Sequence, residues 1–386
     1  MRKVLCVLSW ILVSPSWSEI GSDLVPAPPA LNADAYLLAD FVTGKVLVEH
    51  NADQPLPPAS LTKIMTSYVL AQEIRLGRLK LTDKVQVSRN AWSQNPIFRG
   101  SSLMWIEPRK PVTVGELERG IVISSGNDAT VAIAEHIAGS EPAFVDLMNQ
   151  YAQEMGLTRT HFENSHGLPH PDHLSTARDL AIMAAAAIRD HPERYKIYKE
   201  QSYTYNDITQ YNRNQLLRED ASVDGLKTGY TRDSGYGLVA SAERQGMRFI
   251  SIILGSSSAN SRKAETRNLL NYGFRFFETI SPLAVDEAIS EYRVWKGMRE
   301  DVPVGIRSPF YLTLARSNAE VQIALQVDNP LVAPLEVGQV IGNILLTRSG
   351  KAIAAVPLQV LESVESAGFF ARLWDTMLLW FEQFFG

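Results

Sequence analysis

The sequence predicts a mixed α/β (α+β) fold: an antiparallel sheet flanked by helices, then a small all-β domain, then a C-terminal amphipathic helix. Strand-like runs stand on both sides of a helical block, over residues 35–50 and again over 223–254. Past residue 281 the chain turns to short apolar runs separated by turn residues. The last segment gathers its large apolar side chains on one side of a helical wheel.

The elements follow in order. Ala35–Asp40 and Lys45–His50 flank Thr43-Gly44 and read as a hairpin. Ser60 to Leu76 reads as a buried helix. Thr113 with Glu116 forms a capping box ahead of a helix over Leu117–Ile123. Asn127–Ile137 ends at Gly139 and Pro142–Met155 ends at Gly156, both as helices. Thr176 and Asp179 open an Ala-rich helix running to Arg189. Val223–Tyr230 is a strand, and Tyr236–Ala242 and Met247–Leu254 form a hairpin around Gln245-Gly246. Arg262–Phe277 returns to helical spacing. Strands from both ends of the block pair into one sheet, with helices on its faces. Val302–Ile306, Tyr311–Ala315, Val321–Val327, Gln339–Leu346 and Ala352–Val360 are the strands of the all-β domain.

In the final segment, Phe369, Phe370, Leu373, Trp374, Met377, Leu378, Trp380, Phe381, Phe384 and Phe385 share one half of the wheel. Arg372, Asp375, Thr376, Glu382 and Gln383 take the other. An interfacial helix in a membrane surface is expected. The alternative is a helix docked on the protein's own core. The polar face carries little positive charge, so anionic lipid adds little attraction.

At the other end, Arg2 and Lys3 precede an apolar run from Val4 to Val13, with Ser16 and Ser18 as small residues for cleavage. This reads as a secretory signal; the alternative is a buried N-terminal strand. The expected organisation is a signal peptide over 1–18, a Pro/Ala-rich linker over 19–33, a main domain over 34–280, an all-β domain over 281–361 and the amphipathic helix over 362–386. Cleavage takes the net charge from -5 to -7, since Arg2 and Lys3 are lost with no acid. That balance argues against a dedicated nucleic-acid binder. The single cysteine, Cys6, lies inside the signal, so no disulfide and no zinc-thiolate site is expected.

Three short motifs carry chemistry. Ser60-Leu61-Thr62-Lys63 is the only S-x-x-K. On a helix the first and fourth residues share a face, so the amine reaches the hydroxyl. A serine hydroxyl needs a base, and a desolvated lysine can serve. Alone the motif is weak, because roughly one copy is expected by chance in a chain this long. Lys227-Thr228-Gly229 is the only K-T-G, expected by chance in about one such chain in fifteen. It offers a second cation, a hydroxyl and a glycine that lets a substrate backbone approach. S-x-N occurs at Ser88-Asn90, Ser93-Asn95, Ser125-Asn127 and Ser258-Asn260. Ser125-Gly126-Asn127 is preferred, because it sits in a tight break between two helices while the others lie in loop-like stretches.

S-x-x-K, S-x-N and K-T-G in this order resemble the penicillin-binding protein and serine β-lactamase superfamily. Within it the chain is similar to the low-molecular-weight D-alanyl-D-alanine carboxypeptidases. The likeness includes Pro58 to Thr66, Ser124 to Ala129, Ser175 to Asp179, Asp224 to Gly229 and Gly273 to Glu278. It implies a β-lactamase/transpeptidase-like main domain. It also implies that Ser60 is acylated by the penultimate D-alanine carbonyl of a peptidoglycan stem peptide ending in D-Ala-D-Ala, with Lys63 as base. Ser125 and Lys227 would relay the proton to the leaving amine, and Asn127 would hold the peptide amide. The backbone N–H groups of Ser60 and Tyr230 would form the oxyanion hole. Thr228 would bind the terminal carboxylate, and Arg262 is similar to the family's carboxylate-binding arginine. β-Lactams would be inhibitors, and no cofactor or metal is implied. The expected place is the periplasmic face of the bacterial cytoplasmic membrane. His166 and Arg213 match family positions near the cleft and receive no chemical role.

The chain departs from the pattern at Tyr230, where many such enzymes carry histidine. No Glu-x-x-Leu-Asn segment supplies a β-lactamase deacylation glutamate, so penicillin is expected to leave Ser60 slowly. Alternative functions are a D,D-endopeptidase or transpeptidase of the same superfamily, and a non-enzymatic peptidoglycan-binding protein. His161, His166, His170 and His173 lie close in sequence, but a loop over the cleft is the better reading than a metal site.

Overall fold

The structure, a computed structural model, describes residues 25–385. The expected signal peptide and the first part of the linker, residues 19–24, lie outside the described residues. The chain divides into two compact units, Ala27–Ser281 with Phe310–Leu314, and Pro282–Pro309 with the stretch from Ala315 to the C-terminus.

The larger unit is built on one five-stranded antiparallel sheet. Its strands are β1 (Ala35–Asp40), β2 (Val46–His50), β3 (Val223–Thr231), β4 (Gly235–Arg244) and β5 (Met247–Ser256), in the order β2-β1-β5-β4-β3. The first and last segments thus do share one sheet. β4 and β5 join at Gln245-Gly246, with φ of 52° and 77°. Arg244 pairs with Met247 across that two-residue loop, and positive φ at both positions is the turn that matches strand twist.

The helices are α1 (Lys63–Arg75), α2 (Val114–Arg119), α3 (Asn127–Ala138), α4 (Glu141–Glu154), α5 (Ala177–Asp190) and α6 (Ala259–Phe276). α1 is buried almost all round, from Lys63 to Ala71, which explains its lack of a polar face. Ile64, Met65 and Val69 pack with Leu37, Ile252, Phe144 and Met183, which joins sheet and helices in one core. The capping box is present, since Thr113 accepts the Glu116 N–H and the Glu116 carboxylate accepts the Thr113 N–H. The expected helix through Ile123 is interrupted: Gly120–Ser124 forms a wider π-turn. Ser258 also differs from expectation, because it caps α6 by accepting the Ser261 N–H instead of lying in a loop. A hairpin over Ser202–Tyr205 and Ile208–Tyr211 was not expected; Asn206 and Asp207 supply its positive φ.

The smaller unit holds a six-stranded sheet. Its strands are β6 (Ser290–Trp295), β7 (Asp301–Gly305), β8 (Val321–Val327), β9 (Leu331–Val332), β10 (Val340–Arg348) and β11 (Lys351–Val360), in the order β8-β10-β11-β7-β6-β9. α7 (Phe369–Phe385) follows. The Asp375 carboxylate accepts the Lys296 N–H at 2.5 Å, while Phe370 is 84% and Trp374 63% exposed. The described part of the apolar face, from Phe369 to Phe381, is therefore largely exposed. Among the described residues no helix is long and apolar enough to cross a membrane.

Candidate active site

The site sits where α1, the start of α3 and β3 converge. Ser60 lies in a 3-10 turn, Ala59–Thr62, that runs directly into α1. It is therefore one turn ahead of the helix proper, and not a helix N-cap. Ala59 has a φ of 49°, so the turn begins from a left-handed residue. Two contacts hold it there. The Thr62 hydroxyl donates to the Ala59 carbonyl at 2.8 Å and lies 2.7 Å from His173 Nε2. His173 Nδ1 accepts the Glu163 N–H at 3.1 Å, so Nε2 is the protonated, donating nitrogen. Burial pushes His173 down to about 4, so the ring stays neutral and this bond persists across the physiological range. Gly167, with φ +85°, packs on the same turn: an added Cβ would lie 1.8 Å from the Ala59 carbonyl oxygen.

The Lys63 amine is 1% exposed as a residue. Its Nζ lies 3.1 Å from Ser60 Oγ, 2.6 Å from Asn127 Oδ1 and 2.6 Å from the His166 carbonyl oxygen. Two firm acceptors take two of its protons and leave the third position facing the serine. As a free amine, Lys63 would thus turn its lone pair toward the Ser60 hydroxyl. Burial is the largest cause of its depressed pKa, which falls to about 7, and the Arg213 cation adds to it, with Asp128 opposing. A base is most useful when its pKa lies near working pH.

The second motif follows the π-turn. Ser125 holds φ 59° and ψ 32°, a left-handed conformation that is costly outside glycine. It presents Oγ 2.9 Å from Lys227 Nζ. Lys227 also donates to the Thr228 carbonyl at 3.1 Å. Burial first, then the Lys63, Arg213 and Arg262 charges, drive its pKa well below the ordinary lysine value. Asp128 fixes the wall beside this motif. Its carboxylate accepts the N–H groups of Met104, Trp105 and Ile106 at 2.8, 2.8 and 3.1 Å. Trp105 has a φ of 72°, so those bonds hold a strained loop. Asn127 N–H in turn donates to the Ser102 carbonyl at 2.8 Å.

A cleft of about 410 Å³ joins these groups. Ser60, Ser125, Asn127, Thr228, Gly229, Tyr230 and Arg262 all line it, and Lys63 and Lys227 stand behind Ser60 and Ser125. All nine residues expected at a site are therefore brought together. Ser88, Ser93 and Ser258, the other S-x-N serines, do not line it.

One expectation changes. Gly229 was expected to admit a substrate backbone. Here its missing side chain serves the fold, because a Cβ would come 2.9 Å from the Pro58 carbonyl oxygen and 3.1 Å from Leu61 Cγ. The glycine lets β3 press against the turn that carries Ser60. Arg262 lies in the first turn of α6, at the start of the helical spacing expected from residue 262. Its Nη1 donates to the Gly229 and Gly237 carbonyls at 3.2 Å each. One nitrogen thus clamps β3 to β4 at the cleft wall.

Sequence reasoning assigned no role to His166 and Arg213, and both matter to the electrostatics. The His166 carbonyl accepts from Lys63, and its ring, pushed down to about 3 mainly by burial, is neutral. Arg213 lines the cleft and lowers both lysines. The signal for Arg213 was its own place in the family pattern; His166 acts through a backbone atom that no side-chain motif encodes. Of the other histidines, His170 joins Glu163 and Asp172 in an exposed group with ligand-type atoms within 4.8 Å of one another, outside the cleft lining.

The arrangement can deliver a serine nucleophile to a carbonyl, take its proton and bind an anionic end group between cations. Comparison with known proteins points the same way. A family model described as D-alanyl-D-alanine carboxypeptidase matches residues 23–258. Another, described as penicillin-binding protein 5, C-terminal domain, matches residues 277–366. The D-alanyl-D-alanine carboxypeptidase DacC of Escherichia coli (strain K12) is 46% identical over 362 residues, covering 93% of this chain and 90% of the relative. DacA of the same strain, also named a D-alanyl-D-alanine carboxypeptidase, is 45% identical over 367 residues, covering 94% and 91%. The crystal structure of penicillin binding protein 5 from Haemophilus influenzae is similar with a TM-score of 0.82 at 43% identity, covering 88% of this chain and 99% of that one.

Proposed function

This chain belongs to the D-alanyl-D-alanine carboxypeptidase family, and we propose from that premise how its cleft performs the reaction. The protein is a serine-type carboxypeptidase that removes the terminal D-alanine from peptidoglycan stem peptides through an acyl-enzyme. The observation that carries the assignment of roles is Lys63 Nζ at 3.1 Å from Ser60 Oγ, with a pKa near 7.

The substrate carboxylate binds to Thr228 and Arg262, in the field of Lys227 and Arg213. Asn127 receives the peptide amide of the acyl part. Ser60 Oγ attacks the penultimate carbonyl and its proton passes to Lys63. The oxyanion is held by the backbone N–H groups of Ser60 and Tyr230, where preorganised donors favour charge present only in the transition state. The C–N bond then breaks, and the leaving amine takes a proton through Ser125 and Lys227. The Ser60 ester remains. Water attacks it, Lys63 again takes a proton, and Ser60 Oγ regains its own as the shortened peptide leaves. A β-lactam follows the first half of this path, but its leaving nitrogen stays tethered to the acyl group and obstructs the water, and no glutamate among the described cleft-lining residues offers a second base, so it leaves Ser60 slowly.

The remaining organisation belongs to the same reading. Residues 1–18 direct export and 19–33 link to the 34–280 peptidase domain. The all-β domain, 281–361, carries the 362–386 segment, whose Phe and Trp face lies in the outer surface of the cytoplasmic membrane. The test is release of D-alanine from a peptide ending in D-Ala-D-Ala by the purified protein and by Ser60→Ala. Release by the first alone is expected. Equal release by Ser60→Ala would overturn the assignment.

A further inference from the structure

The cleft is polar along most of its wall, with serines, asparagines and arginines, but one end is aromatic. Tyr230 on β3 stands directly opposite Tyr236 on β4. Their ring centroids are 4.3 Å apart and the planes are tilted by 31°. The Arg262 guanidinium carbon is 5.6 Å from the Tyr236 ring centroid. All three line the cleft. Tyr230 is nevertheless 51% exposed. One side of its ring rests on Tyr236 and the remainder is open. Tyr230 also follows Thr228 by two positions on one strand, so the two side chains emerge on the same face. An aromatic surface thus adjoins the place where Thr228 and Arg262 would hold a terminal carboxylate. A terminal residue so held has its side chain within reach of that surface.

We propose that the Tyr230–Tyr236 pair is a specificity wall for the leaving residue, packing against its side chain and favouring apolar terminal D-residues, including ones larger than alanine, over glycine. The proposal rests on the carboxypeptidase reading, since the carboxylate position orients the terminal residue. It concerns the side chain of Tyr230, and is separate from the backbone N–H assigned to the oxyanion. Burying one methyl group against the ring is a fourfold effect, about 0.8 kcal/mol. A longer apolar side chain covers more of the ring and gives about tenfold.

The test compares kcat/KM for three diacetyl-L-lysyl-D-alanyl-X peptides, with X as D-methionine, D-alanine or glycine. In Tyr230→Ala the D-methionine to glycine ratio is expected to fall about tenfold and the D-alanine to glycine ratio about fourfold. Tyr230→Phe, which keeps the ring, should hold both ratios within about twofold of the parent. Tyr236→Leu, which removes the ring behind Tyr230, should lower the D-methionine ratio in the same direction. Ratios in Tyr230→Ala that match the parent would overturn the proposal. So would an equal loss on all three peptides, since that is the effect of a displaced strand and not of selection. No release by the parent from any of the three would overturn the carboxypeptidase reading, and the wall with it.

Discussion

The pH dependence of acylation follows from the surroundings of Lys63. Water holds a lysine ammonium at an ordinary value of 10.5, and this site brings it to about 7. That difference is on the order of 5 kcal/mol against the charged form. Lys63 acts as base only when neutral. Its free-amine fraction is then roughly nine-tenths at pH 8, one-tenth at pH 6 and one-hundredth at pH 5. The second-order rate of acylation by a fluorescent penicillin, followed by stopped flow, should therefore drop about tenfold from pH 8 to pH 6 and about tenfold again to pH 5. Lys227 is depressed partly by Lys63, so the limb belongs to the coupled pair. Arg213→Gln supplies the sign test. The Arg213 cation disfavours the Lys63 ammonium; without it the ammonium is favoured, and the limb moves to higher pH. The readout is the position of the limb and not its height. A rate that stays flat from pH 5 to pH 8 would refute the reasoning. So would a limb that Arg213→Gln leaves in place or moves to lower pH.

Other perturbations follow from named contacts. Asp128→Ala removes the acceptor for the Met104, Trp105 and Ile106 N–H groups, and should cost about 3 kcal/mol in chemical denaturation. No loss of stability would show that those groups find other partners. Gly167→Ala would drive a Cβ to within 1.8 Å of the Ala59 carbonyl oxygen at a φ of +85°. The turn holding Ser60 must shift, and penicillin acylation is expected to slow about a hundredfold, as for a nucleophile misplaced by about 1 Å; an unchanged rate would contradict the tight packing. Deleting residues 369–386 should abolish flotation with liposomes, because it removes the exposed Phe and Trp face. An unchanged bound fraction would remove the anchor.

Local signals are legible in the sequence where one short stretch contains all the physics. The Thr113 capping box, the Gln245-Gly246 turn and the α7 wheel each depend on residues a few positions apart. The catalytic motifs were legible for the same reason, since Ser60 and Lys63 are one turn apart. Of the four S-x-N copies only Ser125 stands where one helical segment stops and another restarts, and the π-turn with a left-handed serine is the form that break takes. Contacts between distant segments were less legible. Lys63 meets the His166 carbonyl 103 positions away, and a carbonyl has no identity in sequence. The sequence does not show why position 229 is glycine, because its neighbour Pro58 is brought there only by the packing of β3 on the Ser60 turn. β6 has a weak strand signal because its sequence, Ser290–Trp295, carries charged residues at its exposed positions. Asn206-Asp207 between two Tyr/Thr runs is a local hairpin signal of the same kind.

The measurement that bears most directly on the central claim is intact mass spectrometry of the protein mixed with excess benzylpenicillin, beside Ser60→Ala. The account predicts a gain of one penicillin on the parent protein, located on the peptide containing Ser60, and none on Ser60→Ala. No adduct on the parent, or an equal adduct on Ser60→Ala, would contradict it.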